Sequence, residues 1–156
     1  MAIKEVKEFF KKFNMEEKIM EFDTSSATVE LAALALNVIP AKIAKTLSFK
    51  KDDSCILIVT SGDMKIDNPK FKAEFEMKAK MPSSDEVFSL TGYAAGGVCP
   101  FALSDNIPVY LDTSLQRFDT VFPACGSSNS AIELTPDELF RYSGAVKWID
   151  VCKNKE

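Results

Sequence analysis

Residues 54–60, SCILIVT, restrict the fold more than any other stretch of this chain. The run is apolar and rich in β-branched side chains. Its length suits one strand and falls short of an ordinary helix. A strand has to find hydrogen-bonding partners, so the rest of the chain must supply a sheet around it. Thr46, Leu47, Ser48 and Phe49 begin a strand just before it, and SGD turns the chain just after it. In the second half, IPVYLD, DTVFPACG, AIELT and KWIDVC are four further strand candidates. DTSLQRFD, Asp112 to Asp119, connects the first two of these.

Helical signals alternate with the strands. Ile3 to Met20 carries Ile3, Val6, Phe9, Phe10 and Phe13 at near-helical spacing, which predicts an amphipathic helix. Its lysine side, Lys4, Lys7, Lys11 and Lys12, reads first as a solvated face and second as a place for phosphate contacts. EFD follows as a short strand or extended segment. In TSSATVELAALALNVIP, hydroxyl residues offer an N-cap, and Pro40 is expected to stop the helix. Asn68-Pro69 opens a helix with Phe71 and Phe75 one turn apart. Ser83 and Glu86 have capping-box spacing, and Gly92 can close that helix. Thr135, Pro136, Glu138 and Gly144 give TPDELFRYSG an N-cap, a first-turn proline, a capping box and a terminator. There is no internal repeat, low-complexity tract or linker. The expectation is a single domain over residues 1–156 of mixed α/β (α+β) class, with a central mixed β-sheet surrounded by helices.

Composition narrows the chemistry. The chain contains no histidine, which removes every Ser-His and Cys-His nucleophile pair. Cys55, Cys99, Cys125 and Cys152 are widely spaced and form no C-x-x-C pair, so they read as reduced, mostly buried thiols and not as a metal centre. A net charge of −4 argues against tracking a long phosphate backbone, but not against gripping a few nucleotides at one end of an RNA. No apolar run approaches a membrane span, and the N-terminus is charged and amphipathic without a signal-peptide core. The chain is therefore expected to be cytoplasmic, with no membrane or DNA partner, and monomeric by default.

Three segments offer polar or permissive groups for a site. Lys45 stands where a turn enters a strand, and a rigid strand can hold a lysine over a cleft. Taken alone, it is also an ordinary edge lysine whose stem covers apolar surface. TGYAAGGVCPFAL, Thr91 to Leu103, holds three of the chain's six glycines. Within it Gly96 to Pro100 form G-x-x-x-P, a loop that a ligand can approach without meeting a Cβ and that can present backbone N–H groups to a carbonyl. Alone, it is equally a tight turn. CGSSNSAIEL, Cys125 to Leu134, places Ser127, Ser128, Asn129 and Ser130 where they line a pocket mouth or simply turn a hairpin.

Together and in this order, these segments resemble the YbaK/aminoacyl-tRNA synthetase-associated domain family. The matching stretches are LALNV, AKIAKTLSF, CILIVT, TGYAAGGVCPFAL, PVYLD, GSSNSAIELTPDEL and WIDVC, over roughly residues 22–152. The family includes free-standing deacylases and the editing insertion of bacterial prolyl-tRNA synthetases. The resemblance implies a mixed-sheet α/β fold without metal or organic cofactor. It also implies hydrolysis of the ester that joins a wrong amino acid to the 3′ adenosine of a tRNA, mostly Ala- or Cys-tRNA(Pro). The family's lysine falls on Lys45, which would engage the terminal nucleotide at the tRNA 3′ CCA end. Its loop falls on Gly96, Gly97 and Pro100, whose backbone would position the aminoacyl carbonyl while the ribose 2′-hydroxyl assists a water. Thr46, Ser128 and Asn129 are further pocket candidates, and prolyl-tRNA synthetase is a candidate partner. The synthetase insertion typically has a histidine in the region matching GSSNS, where this chain has only Ser and Asn. Cys99 lies inside the loop with no histidine to activate it. Two other readings stay open: a non-catalytic module that binds a tRNA or a synthetase, and a hydrolase of some other small activated acyl compound.

Overall fold

The computed structural model describes residues 2–104 and 106–155. Its centre is a five-stranded sheet in the order β6-β2-β3-β5-β8, formed by Phe122–Pro123, Ile43–Lys51, Ser54–Ser61, Val109–Asp112 and Trp148–Ile149 respectively. The β2–β3 pair is antiparallel, whereas β6 on β2, β5 on β3 and β8 on β5 are parallel, so the sheet is mixed. SCILIVT is the middle strand, and period-two alternation sends its side chains into two different cores. Leu57 and Val59 pack on one face with Val6 and Phe10 of helix α1 (Ala2–Lys11), with Leu111, and with Leu139 of helix α5 (Pro136–Ser143). Ile56 and Ile58 pack on the other face with Phe49, Val151 and Phe71 of helix α3 (Asn68–Phe75). Burial on both faces explains why this strand is apolar without interruption.

Helix ends follow their caps. In α4 (Ser84–Thr91) and α5, both halves of the expected capping boxes are formed, Ser83 with Glu86 and Thr135 with Glu138. Gly92 and Gly144 then end these helices at φ 82° and 64°. Two boundaries differ from expectation for one reason. Asn14 (φ 58°) and Asn37 (φ 57°) adopt the left-handed conformation that asparagine tolerates better than most residues. The first helix therefore stops at Lys11 and does not continue to Met20. Helix α2 (Val29–Leu36) is closed by Asn37, whose N–H reaches Ala33 and Leu34, and Pro40 instead opens a short 3₁₀ turn.

The remaining strands lie outside the central sheet. β1 (Met20–Glu21) pairs with β7 (Ser130–Ala131), so AIELT contributes only its first residue to a strand. β4 (Met64–Ile66), which the sequence reading lacks, pairs with β9 (Cys152–Asn154). KWIDVC is thus divided between two sheets, not one continuous strand. Among the described residues no helix is long and apolar enough to cross a membrane.

Candidate active site

β6 accompanies β2 only at Ile43 and Ala44, which among the described residues leaves the β2 edge without a strand partner on that side from Lys45 onward. A cavity of about 270 Å³ opens there. Lys45, Thr46 and Leu47 contribute from the strand edge, and Ser26, Ala27, Thr28 and Val29 from the segment entering α2. Gly96 and Val98 line it from the glycine loop, and Ala124, Ser130 and Ala131 from the opposite wall. Most of these side chains are small.

Lys45 lies across from Thr60 in the β2–β3 ladder, and Thr46 from Val59, so the two side chains leave the strand on opposite faces. The Lys45 ammonium donates a hydrogen bond of 2.5 Å to the Met64 carbonyl. Burial, with the Lys155 ammonium second, holds its pKa below the ordinary lysine value. Thr46 Oγ1 is buried and has no hydrogen-bond partner among the described residues. An orphaned buried hydroxyl costs about 1–3 kcal/mol, and the Ser54 and Ser61 hydroxyls are buried without a partner in the same way.

The glycine loop is held from several sides. The buried Tyr93 donates its hydroxyl to the Phe101 carbonyl, and its N–H donates to Thr91 Oγ1 at 3.1 Å. Gly97 N–H donates to the Ala94 carbonyl at 3.0 Å and is therefore not free to receive an oxyanion. Gly96 sits at φ 86°, and a Cβ there would lie 3.1 Å from the Ala27 Cβ. At Gly97 a Cβ would lie 3.0 Å from the Ser127 Cα and 3.2 Å from its N. The two glycines thus let the loop lie against two neighbouring segments at once.

Those neighbours are tied together by Ser128 and Asn129. The Ser128 carbonyl accepts from Ser26 N–H at 2.6 Å. Asn129 exchanges with Phe22 in both directions: its Nδ2 donates to the Phe22 carbonyl at 2.9 Å, and its carbonyl accepts from Phe22 N–H at 2.8 Å. Lys45, Thr46 and Gly96 are therefore brought to one cavity. Gly97 packs beneath the loop, while Ser128 and Asn129 strap the wall from outside the lining. Pro100 lies further along the loop and lines a different groove, against α1 and α5. Ser26 and Thr28 were legible in the sequence only as hydroxyl cap candidates, and Ala27 carried no signal. Thr28 does cap α2, accepting from Leu31 N–H at 3.1 Å, and lines the cavity as well.

All four cysteines are free and buried, and burial pushes the Cys99 thiol up to about 12. Among the described residues, no group of three or more Cys, Asp or Glu side chains is placed to hold a metal ion.

The model of the aminoacyl-tRNA editing domain matches residues 23–142. This chain belongs to that family. The editing domain is 55% identical over 157 residues to the uncharacterized protein YwhH of Bacillus subtilis, with both chains covered in full. It is 26% identical over 114 residues to EbsC of Enterococcus faecalis, named a candidate Cys-tRNA(Pro)/Cys-tRNA(Cys) deacylase; the match covers 72% of this chain and 70% of that one. A solved structure described as a candidate trans-editing enzyme for prolyl tRNA synthetase superposes with a TM-score of 0.87 at 27% identity, covering 98% of each chain. The mixed sheet and its flanking helices are the fold of that structure.

Proposed function

We propose that this editing domain is a trans-acting deacylase that hydrolyses the ester of mischarged tRNA, with Ala- or Cys-tRNA(Pro) as substrate. The observation that carries the reading is that Lys45, Thr46 and Gly96 line one small cavity. The alanines and valines of its wall suit an amino-acid side chain no larger than alanine, serine or cysteine. The name carried by EbsC supports the cysteinyl form.

An aminoacyl ester is already an activated acyl group, so orientation and a few fixed dipoles suffice in place of a histidine base. Gly96 admits the terminal adenosine without a Cβ in its path. Lys45 leaves the Met64 carbonyl for the nucleotide and steadies the ester, exchanging one acceptor for another. The Thr46 hydroxyl gains the partner it lacks in the free protein. The ribose 2′-hydroxyl of the substrate orients the attacking water.

A deacylation panel tests this reading. Ala-, Cys-, Ser- and Pro-charged tRNA(Pro) are offered to the wild type and to Lys45→Ala. Rapid clearance of Ala- or Cys-tRNA(Pro), with kcat/KM reduced about a hundredfold or more in Lys45→Ala, is the expected result. Failure of the wild type to clear any of the four, alongside retained tRNA binding, would replace the deacylase with a binding module.

A further inference from the structure

A second and larger concavity, of about 1120 Å³, lies where α1 meets α5 and the continuation of the glycine loop. Its lining carries Lys4, Lys11, Lys12 and Arg141 against only Glu5 and Glu8, in a chain whose net charge is −4. None of these four cations is paired with a carboxylate among the described residues. Two are steadied by rings: Lys12 Nζ lies 5.8 Å from the Phe9 centroid, and Arg141 Cζ lies 5.5 Å from that of Phe13 and 5.3 Å from that of Tyr142. The rings beneath are themselves packed, Phe13 on Tyr142 at 4.8 Å and Phe9 on Phe10 at 5.2 Å. Positive charge is therefore arrayed on a rigid aromatic floor and left open to a ligand.

The charge of the groove fits a polyanion. Of the large exposed apolar residues Leu31, Leu34, Ile39, Met81, Phe88 and Val146, only Val146 lines the groove. Position adds the second argument. Val98 lines the candidate active site and Pro100 lines the groove. Two residues apart, their Cα atoms are at most about 7 Å from each other. A ligand whose 3′ end enters the cavity places its following duplex beside the same loop. We infer that this groove binds the sugar–phosphate backbone of an RNA duplex, the acceptor stem of the tRNA whose charged end enters the active-site cavity.

The inference rests on the deacylase reading for the identity of the RNA, and its test keeps the two apart. Binding of uncharged tRNA(Pro) transcript is measured by fluorescence anisotropy across a salt series. The proteins compared are the wild type, the exposed-site variant Lys11→Ala/Lys12→Ala/Arg141→Ala, and Glu8→Gln. Deacylation is measured in parallel on charged full-length tRNA and on a short aminoacylated CCA oligonucleotide. The triple variant is expected to weaken tRNA binding about tenfold and to reduce the salt slope by about 2 to 3. Glu8→Gln is expected to tighten binding. KM should rise for full-length tRNA and stay unchanged for the oligonucleotide, with kcat preserved on both. Equal binding by all three proteins, with deacylation intact, overturns the groove and leaves the deacylase standing. Loss of synthetase association with unchanged tRNA binding also overturns it, assigning the face to a protein. Weakened tRNA binding by a wild-type-dependent groove without any deacylation supports the groove and sinks the proposed function instead.

Discussion

Replacing Thr46 by valine separates a hydroxyl kept for structure from one kept for a ligand. Thr46 Oγ1 is buried and unpartnered, so the free protein bears its desolvation without return. That burden is about 1–3 kcal/mol. Valine has nearly the same shape and suits a strand at least as well, and its methyl needs no partner. Thr46→Val should therefore stabilise the free protein. For a domain of this length each kcal/mol moves Tm by about 2–4 °C, so the expected rise is about 2 to 12 °C. Activity should move the other way, because the substrate loses a hydrogen bond in a water-poor cavity. A fall in kcat/KM of about tenfold to a hundredfold is expected. Thr46→Ser provides the opposite control: it keeps the hydroxyl and most of the activity, and loses about 0.8 kcal/mol with the methyl. Thermal unfolding followed by circular dichroism and single-turnover deacylation read the two quantities. A lower Tm in Thr46→Val would show that the hydroxyl has a partner in the free protein. A higher Tm with unchanged kcat/KM would show that no substrate group uses it. Either result refutes the assignment.

Two other perturbations test the loop. Gly97→Ala forces a Cβ to within 3.0–3.2 Å of the Ser127 backbone, so the loop must move off that turn; a loss of about 1–3 kcal/mol in thermal unfolding and a parallel loss of deacylation are expected. Gly92→Ala meets nothing within 4 Å and is strained only by φ 82°, so it should lose about 1–2 kcal/mol yet keep its activity; equal activities in the two variants would detach the Ser127 contact from the site. The buried cysteines, with the Cys99 thiol pushed up to about 12, should resist iodoacetamide at pH 8 in the native protein and react after denaturation. Rapid native alkylation of Cys99, seen by mass spectrometry of its peptide, would return that thiol to the list of reactive groups.

The fold was legible where a local signal and its tertiary use coincide. SCILIVT is a strand in any sheet that buries it, and the Thr135 and Ser83 capping boxes need only their own first turns. Boundaries failed where one residue made an uncommon backbone choice. Nothing in FNMEEK distinguishes a continuing helix from one ended by a left-handed Asn14. KWIDVC reads as one strand because its pattern is continuous. Its division comes from Asp112, whose carboxylate accepts from Val151 N–H at 3.0 Å and gives that backbone a partner outside either ladder. β4 is three residues long and needs β9 to exist, so no local pattern announces it.

The candidate site was legible only in part, because its pieces differ in what makes them matter. Gly96 and Gly97 read alone as a tight turn or as a close approach, and the structure shows two close approaches, to Ala27 and to Ser127. Lys45 is one lysine among many until a strand edge without a neighbour is placed beside it. Thr46 was a pocket candidate only through the family resemblance; its unpartnered hydroxyl, shared with Ser54 and Ser61, is a property of the folded surroundings. Ser128 and Asn129 look like pocket residues by type, yet their hydrogen bonds are committed to holding residues 22–26 against the wall. The groups with partners thus build the cavity, whereas an unpartnered buried hydroxyl, a property Thr46 shares with Ser54 and Ser61, is visible only after folding.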